Sequence, residues 1–96
     1  MKVVVDAELE EIFPAYLNNR EKDMAELKSS LLAEDFEQMR HIGHKIVGNA
    51  AGYGLESLSD YSRQLEESAK KGNLSGCRDA IKNMEGYLST LELVFE

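Results

Sequence analysis

Apolar residues that recur every three or four positions are the feature that most constrains the fold of this 96-residue chain. Since an α-helix turns once in 3.6 residues, each such stripe predicts one helix with a single buried face. The clearest stripe consists of Leu74, Cys77, Ile81, Met84, Leu88, Leu91 and Phe95. A second stripe, at 3,4,3,4,3 spacing, consists of Phe36, Met39, Gly43, Ile46, Ala50 and Tyr53.

Residues that favour helix ends separate these stripes from their neighbours. Asp35 and Gln38 resemble a capping box at the start of the second long helix, and Gly54 suits the left-handed position after its end. Gly72 follows two lysines and predicts the end of a third helix, after which Asn73 can cap a fourth. The third helix carries its own apolar residues, Leu55, Leu58, Leu65 and Ala69.

The first helical segment, residues 7–32, is interrupted by Pro14, which is tolerated best in a first helical turn. We therefore expect a short helical turn near residues 9–13 and a longer helix from Pro14. Residues 1–6 are expected to form an N-terminal arm, extended or frayed, before a bundle over residues 7–96. The sequence predicts one all-α domain, an antiparallel four-helix bundle with a short extra N-terminal helical turn.

Charge and composition restrict the possible partners. The chain has 18 acidic and 11 basic residues and a net charge of -7, which opposes binding to nucleic acid or to an anionic membrane. No apolar run reaches the ~18 residues needed to cross a bilayer, and residues 1–5 are too short for a signal peptide. The single cysteine, Cys77, lies in an apolar stripe and is expected in the core. We expect a monomer located in the cytoplasm.

His44 is the residue whose placement suggests chemistry. On a helical wheel it lies well away from the apolar stripe of its helix, so we expect its imidazole in solvent. Gly48, four residues later, is on the same face, and glycine inside a helix costs roughly 1 kcal/mol relative to alanine. A glycine at that position leaves one side of the ring open to a second macromolecule.

The run from His44 to Leu55, HKIVGNAAGYGL, resembles the signature of histidine phosphotransfer (Hpt) domains. That signature is a histidine, a glycine four residues later, small residues, and then Gly-x-Gly-Leu or a close variant. The resemblance extends over residues 9–95. It implies that His44 carries a phosphoryl group between a histidine kinase or a receiver-domain aspartate and another receiver domain.

The resemblance also implies roles for neighbouring residues. Glu66 stands where members of the family often have a glutamine that bonds to the non-phosphorylated ring nitrogen. Val47 stands where the family usually has a lysine or arginine, so Arg40 or Lys45 is expected to supply charge near the phosphate instead.

The implied partners are a response-regulator receiver domain, a hybrid histidine kinase, or both. We expect no cofactor bound to the chain itself, because the receiver would bring the Mg²⁺. The chain would be a phosphoryl carrier without its own ATP site, not an enzyme.

Two other functions fit parts of the sequence. The absence of a basic residue at Val47 is compatible with an Hpt-like interaction module that docks a receiver or kinase without relaying phosphate. His41, His44 and Glu37 could be the beginning of a metal site on one helix, although no further histidine or cysteine completes it. The string from His41 to His44 also spells HIGH, a motif of class I aminoacyl-tRNA synthetases, but the nucleotide-binding α/β fold that this motif needs is not encoded here.

Overall fold

A computed structural model describes residues 2–96. Four helices make up most of the chain: α1 (Phe13–Leu32), α2 (Phe36–Gly52), α3 (Glu56–Lys70) and α4 (Leu74–Thr90). Each helix packs against two neighbours, with contacts between α1 and α2, α2 and α3, α3 and α4, and α1 and α4. This is the predicted four-helix bundle, and a short 3₁₀ turn over Ala7–Leu9 supplies the predicted extra helical turn.

The helix ends follow the local chemistry of the sequence. The Asp35 carboxylate accepts a hydrogen bond from the backbone N–H of Gln38 at 3.1 Å, and the Asn73 side chain accepts one from Gly76 at 3.0 Å. These bonds satisfy N–H groups that have no partner inside the first turn of a helix. After α2 and α3 the chain reverses through Gly54 (φ 82°) and Gly72 (φ 65°), a conformation that costs glycine little.

A two-stranded parallel sheet joins the two ends of the chain. Strand β1 (Lys2–Val5) pairs with β2 (Glu92–Phe95), with Lys2 opposite Glu92 and Val5 opposite Phe95. The predicted arm, residues 1–6, therefore contains a strand, and Met1 lies outside the described residues.

The extension of the last helix through Leu91 and Phe95 was wrong. Helix α4 ends at Thr90, and Leu91 has extended backbone angles (φ −69°, ψ 127°). Phe95 still contacts the core, because its ring meets that of Phe13 edge-on at 5.7 Å between centroids. The residue is thus apolar for the predicted reason, burial against the bundle, but it is presented by a strand.

The core lies along the axis of the bundle and draws on all four helices. Its largest fully buried apolar side chains are those of Phe13, Leu27, Met39, Ile42, Ile46, Leu55, Leu58, Leu65, Cys77 and Met84. Because residues of α2 and α3 dominate this set, the pairing of these two helices is firmly anchored. That pairing also positions the candidate site on their outer faces.

Candidate functional site

His44 lies in the middle of α2 and projects from the bundle, with 72% of its side chain exposed. The residues that flank it toward the core, Gly43 and Ile46, are buried. The 3.6-residue period that buries one face of α2 therefore turns His44 outward, as the helical wheel indicates.

The imidazole is held from one side by α3. Nδ1 of His44 lies 2.8 Å from Oε2 of Glu66, whose side chain is only 12% exposed. An ionised carboxylate can only accept hydrogen bonds, so this contact places the ring proton on Nδ1. Nε2 is then left with its lone pair, which is the form of imidazole that attacks an electrophile.

Gly43 explains how Glu66 comes so close to the histidine. A Cβ atom at position 43 would lie 3.1 Å from the Ser62 carbonyl oxygen and 3.3 Å from the Glu66 backbone nitrogen. Contacts this short would push α3 outward. The glycine one residue before His44 thus allows the two backbones to approach and brings the Glu66 carboxylate to the ring.

Gly48 has the opposite surroundings. A Cβ atom built there would meet nothing within 4 Å, and Gly48, Ala51 and Gly52 are all exposed. No packing contact in the described part of the chain requires glycine at position 48. The surface that follows His44 along α2 is therefore low and open.

Arg40 lies one turn before His44 on α2. Its guanidinium donates a hydrogen bond to the Glu37 carboxylate. This bond, and the charge of Glu37, raise the pKa of Arg40 above its usual value, and the charge of Glu66 adds to the effect. The guanidinium is therefore within electrostatic range of the carboxylate that holds the histidine.

Lys45, adjacent to His44 in sequence, belongs to a different contact. Its ammonium lies 2.9 Å from Oδ1 of Asp23 on α1, and Arg20 donates to Oδ2 of the same carboxylate at 2.9 Å. Asp23 and Arg20 are both buried, and the Arg20 guanidinium lies 4.5 Å from the centroid of the Tyr16 ring. Lys45 thus contributes to a buried ion-pair network that ties α2 to α1.

Val47, at the position where a basic residue was expected, is half-buried between α2 and α3. Its carbonyl oxygen accepts a hydrogen bond from the Ser59 hydroxyl at 2.9 Å. Position 47 supplies no charge to the site, so any cation near His44 has to come from another position.

The sequence-based reasoning did not single out Lys70 for the site. It is the last residue of α3, one turn beyond Glu66, and its ammonium lies 3.8 Å from the same Oε2 that contacts His44. A lysine four residues after a glutamate is a common helical pair, so only the tertiary contact between Glu66 and His44 reveals its position.

The structure does not assemble the proposed metal cluster. Across residues 2–96, no three His, Cys, Asp or Glu side chains are grouped so that they could hold a metal ion. The Glu37 carboxylate pairs with Arg40, and Cys77 is fully buried in the core. Within the same residues, no helix has the length and apolar character needed to cross a bilayer.

Comparison with known families identifies this arrangement. The family model described as the Hpt domain matches residues 11–93. The chain belongs to the Hpt domain family. The match covers all four helices, and Hpt domains are phosphotransfer carriers of two-component signalling that interact with receiver domains and kinases. No curated protein and no solved structure matched the chain.

Proposed function

We propose that this Hpt domain is a phosphorelay intermediate that carries the phosphoryl group on His44. It would take the group from a histidine kinase or a receiver aspartate and pass it to another receiver domain. The observation that carries the proposal is the hydrogen bond between Glu66 and Nδ1, which directs Nε2 of an exposed imidazole toward an incoming partner. The family match to residues 11–93 supports the same chemistry.

The transfer step needs little from this chain beyond position and charge. Nε2 attacks the phosphorus of an acyl phosphate, the N–P bond forms, and the P–O bond to the donor aspartate breaks, releasing a carboxylate. The attacking nitrogen carries no proton, so no base has to remove one. The proton on Nδ1 stays with Glu66, which stabilises the positive charge that develops on the ring.

The partner would complete the site. A receiver domain would bring the aspartate and the Mg²⁺, and the low surface at Gly48 would let it approach the ring closely. We propose that Arg40, rather than Lys45, supplies charge from α2, because Lys45 is already paired with the buried Asp23. On this view the chain acts as a monomeric carrier in the cytoplasm, and the partner kinase provides the ATP chemistry.

One observation favours a second function, an interaction module that docks a receiver or kinase without relaying phosphate. Val47 places an apolar side chain at the position from which a basic residue would otherwise face the phosphate. Such a module would keep the exposed face of α2 for docking but would not accumulate phosphohistidine.

A panel of phosphorylated receiver domains separates the two functions. His44→Gln is expected to abolish phosphate uptake, while unfolding free energy changes by no more than about 0.5 kcal/mol, the usual range for a surface substitution. His41→Gln is the matched control, because it removes an exposed histidine from the preceding turn of the same helix. The product should be labile in acid and stable in base, as expected for a phosphoramidate.

Two results would overturn the relay. One is phosphate on the His44→Gln protein, and the other is a wild-type chain that binds receivers across the panel but takes up no phosphate from any of them. The second result would establish the interaction module.

A further inference from the structure

The carboxylate of Glu66 creates an electrostatic problem for a phosphorylated His44. It lies 2.8 Å from Nδ1, on the ring whose other nitrogen would carry a phosphoryl group with a charge near −2. Glu37, on the preceding turn of α2, adds another negative charge, and the whole chain has a net charge of -7. Like charges this close oppose phosphorylation unless cations offset them.

Helix pairing places Lys70 on the side of His44 where Arg40 lies. Val47 contacts Ser59, and Gly43 contacts Ser62 and Glu66, so α3 runs antiparallel to α2 along this seam. One turn beyond Glu66 on α3 therefore corresponds to the turn of α2 that precedes His44. Lys70 and Arg40 approach the histidine from the two helices, opposite the low surface at Gly48.

Lys70 is also the cation whose position is least fixed. Its ammonium lies 3.8 Å from Glu66 and 3.9 Å from Glu67, which is beyond hydrogen-bond length, and its side chain is 50% exposed. Arg40, by contrast, is hydrogen-bonded to Glu37, and Lys45 lies 2.9 Å from the buried Asp23. The Lys70 ammonium can therefore move onto phosphoryl oxygens without breaking an existing hydrogen bond.

We infer that Lys70 is the cation that contacts the phosphoryl group on His44 and balances the charge of Glu66. The inference rests on the proposed phosphotransfer function of His44. It explains how the site operates with Val47 at the position that the signature reserves for a basic residue. In the resting protein Lys70 remains beside Glu66, and phosphorylation gives it a second anion.

The test compares phosphate uptake by four proteins: wild type, Lys70→Gln, Lys70→Arg and Lys71→Gln. Phosphoramidate serves as the donor: its P–N bond breaks, ammonia leaves, and the bond between phosphorus and Nε2 forms without any protein partner. We expect uptake by Lys70→Gln to be slower by about fivefold, the size of one charge interaction near a protein surface. Lys70→Arg should retain most of the rate, because it keeps the charge.

Lys71→Gln is the matched control. It removes the same charge from the next residue, which is exposed and forms no ion pair with another described residue. Its uptake rate should stay close to that of wild type. In about 1 M salt, where screening reaches within about 3 Å, the difference between wild type and Lys70→Gln should shrink. A loss caused by misfolding would not respond in this way, and thermal unfolding of all four proteins checks the fold.

The outcomes separate this inference from the proposed function. If wild type takes up phosphate on His44 and Lys70→Gln does so at the same rate, Lys70 has no such role and the relay stands. Equal losses in Lys70→Gln and Lys71→Gln would likewise overturn the inference, since net charge alone would then explain them. A wild-type protein that takes up no phosphate, from phosphoramidate or from receivers, overturns the relay and the role of Lys70 together.

Discussion

Two glycines of α2, five residues apart, have opposite structural consequences at the site. Gly43 is buried, and any side chain there would collide with the backbone of α3, so it sets how closely Glu66 approaches His44. Gly48 is exposed and touches nothing that a Cβ would reach. Packing thus accounts for the first glycine, whereas the second lowers helix stability without any gain inside the molecule.

Gly48→Gln separates stability from access. We expect this variant to unfold with a free energy unchanged or higher by about 0.5–1 kcal/mol, because glycine is a poor helix former and the new side chain meets no neighbour. Phosphate transfer from a receiver should fall, because the longer side chain obstructs the approach to His44. Transfer kinetics and chemical denaturation measure the two effects. A variant that exchanges phosphate with a receiver at the wild-type rate would show that position 48 does not govern access.

Gly43→Ala provides the contrast. Its added methyl group would lie 3.1 Å from a carbonyl oxygen, so the variant should lose about 1–3 kcal/mol of stability by overpacking.

The sequence predicted the core of the site but not its complete set of charges. His44 and Gly48 came from helical periodicity and spacing, and Glu66 from the family resemblance. Lys45 was named because it adjoins His44, but consecutive residues are about 100° apart on a helix, and Lys45 turns toward Asp23 on α1. Lys70 could not be found from spacing alone, since its relation to His44 depends on how α3 packs against α2.

At the level of secondary structure, the caps and stops were predictable and the strands were not. Asp35, Asn73, Gly54 and Gly72 act locally, so their roles can be read from a few neighbouring residues. The pairing of β1 with β2 joins segments about ninety residues apart, which no local pattern reveals. In addition, the apolar residues 91, 93 and 95 alternate, while 88, 91 and 95 fit the helical spacing, so the pattern alone was ambiguous.

The turn between α1 and α2 contains an avoidable backbone cost. Glu34 has φ 53°, the only described residue other than glycine with a positive φ. The left-handed conformation costs a residue with a Cβ roughly 1–2 kcal/mol. Glu34→Gly should therefore raise the unfolding free energy by about 0.5–1 kcal/mol, after allowing for the greater freedom of glycine in the unfolded chain.

Gly72→Ala, at φ 65° after α3, is the matched change in the opposite direction. A Cβ atom there meets nothing within 4 Å, so only the backbone conformation is affected and stability should fall by about 1 kcal/mol. Urea denaturation of both variants measures the difference. A Glu34→Gly protein less stable than wild type would mean that the Glu34 side chain contributes more than its backbone costs.

Across the whole molecule, aromatic contacts connect the chain ends to the bundle that carries the site. The ring of Phe13 lies 5.7 Å from that of Phe95 in β2 and 5.4 Å from that of Tyr53, next to the end of α2. Tyr53 stacks on Tyr16 at 3.9 Å, and the Tyr16 hydroxyl donates to Asn49 at 2.7 Å. Because one cluster joins the terminal sheet, α1 and α2, we expect the domain to unfold as a single cooperative unit.

Cys77, the only cysteine, allows that cooperativity to be tested. Its side chain is fully buried in α4, and burial raises the pKa of the thiol above its ordinary value of 9.0. Because the thiolate is the reactive form, a thiol reagent should modify Cys77 only when the protein opens. The labelling rate in increasing urea should therefore follow global unfolding, with the same denaturant dependence as the loss of helical circular dichroism. Rapid labelling that is independent of urea would show that α4 opens locally.

The raised pKa of Cys77 also fixes how alkaline pH affects stability. The folded protein holds the thiol proton more tightly than the unfolded chain, so this contribution is complete below pH 9.0 and is lost as the pH rises through the folded pKa. Burial raises the pKa of Tyr16 and Tyr87 above 10.0 as well, which extends the loss to higher pH. We expect the unfolding free energy, measured by urea denaturation, to decline from about pH 9 upward. Cys77→Ala, although less stable at neutral pH because it leaves a small cavity, should begin its decline nearer pH 10, where the tyrosines begin to ionise. If wild type and Cys77→Ala declined in parallel from pH 9, another group would have to release the proton.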